Sequence, residues 1–150
     1  MPNSHAAKPK MDVASDGRPM HYSVGAIIED ASTHEFFLMD RQFAPYGFAG
    51  MAGHVDEGED ALTAVKREGL EELGTELYDI ELIHEGEVPW SKCWKCDVHY
   101  WYLYRAKVDR SKVKVDVHEA KSWGWFNRAK LKTLALEPIW RHWFEKFGVI

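Results

Sequence analysis

The sequence predicts one α/β layered domain, and three observations carry that reading. Strand-like and helix-like segments interleave along the chain. One run, residues 95–108, is apolar or aromatic on both alternating faces, which implies a central strand with helices on both sides of the sheet. The chain has 150 residues, of which 45% are hydrophobic and 29% charged, enough to bury one core and too short for two.

Each element follows from local pattern. Residues 1–20 (MPNSHAAKPKMDVASDGRPM) hold no continuous apolar run, so they read as a mobile arm and neither a secretory signal nor a membrane anchor, leaving 21–150 as the domain. Tyr22–Glu29 is apolar and β-branched. After the polar turn Asp30-Ala31-Ser32-Thr33 a second such run starts at Glu35, which predicts a hairpin. Residues 42–58 are rich in Gly and aromatics, the composition of short extended pieces joined by turns. A helix is expected from Glu59 to Leu73, ended by Gly74, which tolerates the left-handed capping conformation. At ~100° per residue, Leu62, Val65, Gly69 and Leu73 fall within an arc of roughly 80°, the stripe expected to pack on the sheet. Residues 79–88 and 122–126 read as strands. Asn127 can cap a short helix from Arg128, and Pro138 suits the first turn of a last helix. On that helix Trp140, Trp143, Phe144 and Phe147 form a stripe that is either core or a homodimer patch.

Composition excludes several function classes. Twenty-four acids against nineteen bases give a net charge of −5, no general footprint for a nucleic-acid polymer. No stretch approaches the roughly 20 apolar residues that cross a bilayer. Two cysteines cannot staple a secreted scaffold, so a cytoplasmic location is the default. They lie together as Cys93-Trp94-Lys95-Cys96, half of a tetrahedral zinc site that His84 and His99 could complete only if the fold brings them together. A redox pair or plain thiols are the other readings.

The chemistry concentrates between Gly53 and Glu76, where eight of the twenty-four acids sit. Glu68, Glu71 and Glu72 share an arc of about 100° beside the apolar stripe. Like charges at i, i+3 and i+4 repel, so the three need either solvent or a cation. Oxygen-only ligands of high charge suit Mg²⁺ or Mn²⁺.

The spacing Gly53, five residues, Glu59, seven residues, then Arg67-Glu68-x-x-Glu71-Glu72-x-Gly74 resembles the box of the Nudix hydrolases, with all seven fixed-identity positions present. Two aliphatic positions of the box depart: Gly69 and Thr75 stand there. Gly69 removes a side chain from the packing stripe, so a neighbour must fill the space or the backbone must come close. No carboxylate is missing.

The resemblance implies an α/β/α sandwich with a mixed sheet, and an enzyme that uses Mg²⁺, with Mn²⁺ as a substitute, to cleave a diphosphate linkage in a small nucleoside diphosphate derivative by water attack at phosphorus. It implies that Glu68, Glu71 and Glu72 hold the metal, helped by the carbonyl near Gly53, and that Arg67 pairs with Glu59. Glu68 is the first choice of base and also a candidate ligand. Glu119, ahead of the Trp-containing strand, is either a further ligand or a loop acid; His118 is not expected to take part. The resemblance also admits an isomerase like isopentenyl diphosphate isomerase, or a sensor without activity, which would tolerate loss of box acids. Outside the box, Arg41 is a candidate phosphate contact. Tyr46, Phe48, Trp90 and Trp94 are candidates to stack on a nucleobase, although half or more of them are expected to be packing. His54 is expected to settle the loop rather than to catalyse.

Overall fold

The computed structural model describes residues 8–91 and 98–150. Its organising element is β2 (Pro19–Asp30), long enough to be paired along both edges. One edge takes β7 (Val98–Lys107) in parallel, from Met20↔Val98 to Ile28↔Ala106. The other is shared by β1 (Met11–Val13), β5 (Met51–His54) and β3 (Glu35–Arg41), all antiparallel. β6 (Tyr78–Val88) lies outside β7, and β8 (Ala120–Phe126) and the short β4 (Phe48–Ala49) flank β3. The sheet is mixed, and β7 is internal, as its two-sided apolar pattern predicts.

Where the sequence predicts one core, alternation along β2 gives the domain two, one on each face of the sheet. Val24, Ala26 and Ile28 join Ala64, Val65 and Leu73 of α1 (Ala61–Leu73) on one face. Ile27 joins Trp101, Leu103 and the Trp140, Trp143 and Phe144 side chains of α3 (Pro138–Lys146) on the other. The aromatic stripe of α3 is therefore this chain's own core, with Trp143 fully buried, and it does not furnish a dimer patch. Between them, α2 (Arg128–Leu131) is capped by Asn127, whose side chain accepts from the Lys130 N–H. Among the described residues no helix is long and apolar enough to cross a membrane.

Several expectations are corrected. Residues 8–20 are not an arm. β1 pairs with the first part of β2, Lys10 N–H donates to the Val55 carbonyl at 2.7 Å, and Tyr22 donates its hydroxyl hydrogen to Asp12 at 2.7 Å. The reason lies in the partner: β5 covers only Ser23–Ala26 of that edge, and β1 satisfies backbone groups beyond it. Residues 1–7 lie outside the described residues. The first long helix starts at Ala61 because Asp60 is its N-cap, accepting from the Thr63 N–H at 2.8 Å. Leu62, expected inside, is 44% exposed, and Ala64 takes its place. The β2–β3 hairpin is paired only at Glu29↔Phe36 and Asp30↔Glu35, after which β3 runs on beside β8.

Gly69 is explained by Leu77. A Cβ at Gly69 would stand 2.6 Å from the Leu77 Cγ, so Leu77 occupies the volume that the box's aliphatic residue would fill. His84 and His99 are not brought together: His84 faces Leu103 and His99 faces Val88, four rungs apart on one ladder, or roughly 13 Å at ~3.3 Å per residue. The cysteine pair, Cys93 and Cys96, lies outside the described residues.

Candidate active site

The site forms where the acidic face of α1 meets β5. Gly74, at φ 69°, ends the helix with its N–H on the Leu70 carbonyl, so α1 carries Glu68, Glu71 and Glu72 in its last turns before the chain leaves. The close approach is at Gly53. A Cβ there would overlap the Glu68 carboxylate, so only glycine admits this seating of helix against strand.

Arg67 ties the loop to the helix. Its Nε and Nη2 donate to the two oxygens of Glu59 at 2.8 and 3.0 Å, the fork-on-carboxylate pairing. Nη2 also donates to the His54 carbonyl at 2.9 Å, and Nη1 donates to Glu68 at 2.8 Å and to Glu71 at 3.3 Å. Asp56 stands 3.3 Å from Nη2. Burial works against the Glu59 carboxylate, but Arg67 and the Asp56 N–H hold it below its ordinary range. The expected Arg67–Glu59 contact is thus present, and the same guanidinium reaches Glu68.

Glu68 and Glu72 lie one turn apart on α1, close enough that each shifts the other. Burial pushes Glu68 up to about 7, and Glu71 adds to the rise against the opposing pull of Arg67. Part of the Glu72 residue surface remains accessible, but its carboxylate is enclosed by protein. Burial, then the charges of Glu68 and Glu119, drive it well above the carboxylate range, although Arg41 and the Ala52 N–H favour its ionised form. Two enclosed carboxylates on one side of a helix cannot both ionise at little cost without a counter-charge. The donors are all hard oxygens, so they fit a hard divalent cation and do not fit a soft one.

The structure separates the expected site residues into two groups. Gly53, Arg67, Glu68 and Glu72 are gathered together, with Arg41 and Glu119 within electrostatic reach of Glu72. Glu119 is exposed immediately before β8, and a cleft of about 410 Å³ opens beside it, lined by Gln42, Asp116, Lys121 and Trp123 among others. Glu71 lies toward solvent, with a side chain 42% exposed. Tyr46 is exposed with Lys121 over its ring, and Phe48 packs edge-on against Phe126 at 5.7 Å in the core. Trp90 stands edge-on to His142 of α3 at 5.2 Å. These contacts make Phe48 a packing residue. Trp94 lies outside the described residues.

One buried acid escaped the sequence reading as a site residue. Glu137 was legible only as the residue before Pro138, yet it makes no side-chain cap bond. Its Oε2 is buried without a hydrogen bond, 3.8 Å from the Arg41 Nε. Burial pushes its carboxyl up to about 7, against the favourable charge of Arg41. Arg41 therefore contacts Glu137 and acts electrostatically on a second enclosed carboxylate, Glu72.

The model of the NUDIX domain family matches residues 19–147. No curated protein sequence matches. Among solved structures, a NUDIX hydrolase from Nitrosomonas europaea is 20% identical with a TM-score of 0.65, covering 85% of this chain and 87% of that one. The E. coli dihydroneopterin triphosphate pyrophosphohydrolase is 18% identical with a TM-score of 0.66, covering 84% and 93%. A C. elegans Ap4A hydrolase is 23% identical with a TM-score of 0.57, covering 76% and 85%. At these identities the likeness is one of fold.

Proposed function

This chain belongs to the NUDIX domain family, and from that premise we propose that it is a Mg²⁺-dependent hydrolase that cleaves a diphosphate linkage in a nucleoside diphosphate derivative. The observation that carries the proposal is the enclosed Glu68–Glu72 pair seated against Gly53, a doubled carboxylate whose burial calls for a cation. Mg²⁺, or Mn²⁺ in its place, would neutralise diphosphate charge and acidify a water when bound. Glu72, Glu71, Glu119 and the Gly53 carbonyl are the oxygens proposed to hold it.

Glu68, raised to about 7, is the group proposed to take the proton from the attacking water, because its proton affinity is matched to neutral pH. Arg67 orients Glu68 and, through Glu59 and the His54 carbonyl, fixes the loop that carries Gly53. Arg41 is the proposed phosphate contact: its guanidinium is within electrostatic reach of Glu72, where a substrate's phosphates would arrive. Of the aromatic residues, Tyr46 and Trp90 keep exposed faces that could receive a base.

A panel of nucleoside triphosphates, ADP-ribose, nucleotide sugars, diadenosine tetraphosphate and dihydroneopterin triphosphate, assayed with Mg²⁺ for phosphate or pyrophosphate products, tests the proposal. At least one member is expected to be hydrolysed only with the divalent ion present. A panel left intact by folded protein would overturn it.

A further inference from the structure

We propose that His21, His54 and His99 form a second metal site, built of nitrogen donors and suited to a borderline divalent cation of the Zn²⁺ class. It lies on the opposite face of the sheet from α1. In the strand register His21 of β2 stands directly across from His99 of β7, and His54 of β5 stands across from Ser23, one same-face step along β2. All three side chains therefore share a face. β5 and β7 flank β2, so their backbones are about 10 Å apart at ~4.8 Å per strand. The His54 and His99 rings nevertheless stack with centroids 5.6 Å apart, which requires both to lean inward over the central strand. The His21 ring meets His54 at 4.9 Å and His99 at 6.3 Å.

The donor atoms converge as the rings do. One ring nitrogen from each histidine lies within 4.8 Å of the other two. Nitrogens bound at ~2.0–2.1 Å around one tetrahedral ion stand roughly 3.4 Å apart, a closing that modest ring rotations supply. The tautomer of His99 is already set. Its Nδ1 lies 2.8 Å from the Ser91 carbonyl, which can only accept, so Nδ1 carries a proton and in the neutral ring Nε2 is the nitrogen that offers a lone pair. A backbone carbonyl holding the far nitrogen is the usual orienting partner of a metal-bound histidine. Ser91 is itself buried and is anchored by accepting from Trp101 Nε1 at 3.1 Å.

Imidazole donors prefer Zn²⁺ to Mg²⁺, which separates this site chemically from the carboxylates on α1. The two are linked through one residue. The ring of His54 enters the histidine cluster while its carbonyl accepts from Arg67, so an ion there would tie the Gly53–His54 strand to β2 and β7.

The 150-residue chain, stripped with a chelator and then titrated with Co²⁺ and Zn²⁺ in excess Mg²⁺, tests the assignment without substrate. One tight equivalent is expected. The Co²⁺ visible spectrum should be that of a low-coordinate nitrogen and oxygen site, without the near-ultraviolet band of a thiolate ligand. His54→Ala and His99→Ala should weaken that binding about 100-fold or more. Glu72→Gln and the double variant Cys93→Ser, Cys96→Ser should keep it, which separates this site from the carboxylates and from the cysteine pair. His54 is only half-buried, so its variant is expected to fold, and the wild-type Co²⁺ spectrum stands by itself. No tight equivalent, a thiolate band, loss of binding in the cysteine variant, or undiminished binding in folded His54→Ala would each overturn the proposal.

Discussion

Enclosure of Glu72 beside Glu68 and Glu119 has opposite consequences for stability and for activity. Its raised carboxyl means that the folded chain disfavours the ionised form, so without a cation stability falls as pH rises above the ordinary carboxylate range. Glu72→Gln is therefore expected to raise the melting temperature of metal-free protein at pH 8 by a few °C, while hydrolysis drops by several orders of magnitude. Thermal scans with and without EDTA, set beside turnover, check both halves, and an active Glu72→Gln protein would remove Glu72 from the ligand set. Glu137 obeys the same sign. Below about 4.5 both states are protonated. Between there and about 7 the unfolded chain ionises first, and above about 7 the loss levels off. A displacement of that size corresponds to roughly 3 kcal/mol, so Glu137→Gln should gain about that much over wild type in urea unfolding at pH 8 and little at pH 4.5. Spacing alone made the box acids legible, because helix periodicity puts them on one face. The Arg41–Glu137 contact and the histidine cluster were not, since each joins residues from different strands or loops at separations that no local period records.

Packing decides the elements where propensity does not. In α1, Gly69 should favour replacement by Ala, which gains about 1 kcal/mol of helix stability, but the new Cβ would meet Leu77 Cγ at 2.6 Å. Overpacking of that kind costs about 1–3 kcal/mol. Gly69→Ala is expected to be net destabilising, and Leu77→Ala in the same chain should cancel part of the loss. A double-mutant cycle in denaturant measures the coupling, and additive effects would show that Leu77 does not fill the gap. Asp60→Ala should cost about 1 kcal/mol through the lost Thr63 bond. The helix was visible in the sequence from its period and its Gly74 stop, but its start was placed at Glu59, ahead of the cap at Asp60. Glu59 is drawn off by Arg67, which leaves Asp60 to cap. β1 was invisible for a related reason: Met11 and Val13 are 58% and 64% exposed, so no buried alternation marks a strand held by backbone pairing.

At the scale of the whole molecule, the divalent cation becomes a term in folding free energy, because the oxygens proposed to bind it are converged only when α1 lies on β5. Binding to the folded state alone stabilises by RT ln(1 + [L]/Kd), about 2.7 kcal/mol at a hundredfold excess over Kd. The pH dependence follows from Glu68 and Glu72. Both are raised, so as pH falls through about 7 Glu68 gains a proton and the pair loses negative charge beside the ion, while a proton on Glu72, a proposed ligand, competes with Mg²⁺ directly. Mg²⁺ should therefore raise the melting temperature of the wild-type chain distinctly at pH 8 and barely at pH 5.5, whereas Glu72→Gln should show little rise at either pH. Calorimetric titration at the two pH values gives the same comparison directly, with tighter binding expected at pH 8. Equal Mg²⁺ stabilisation at both would mean that the ion is held by groups that do not titrate in this range, and the buried pair on α1 would lose its role as the seat of the cation. The core between α1 and the sheet holds the pair in place, since neither α1 nor β5 can shift to relieve it without exposing Val65, Leu73 and Met51.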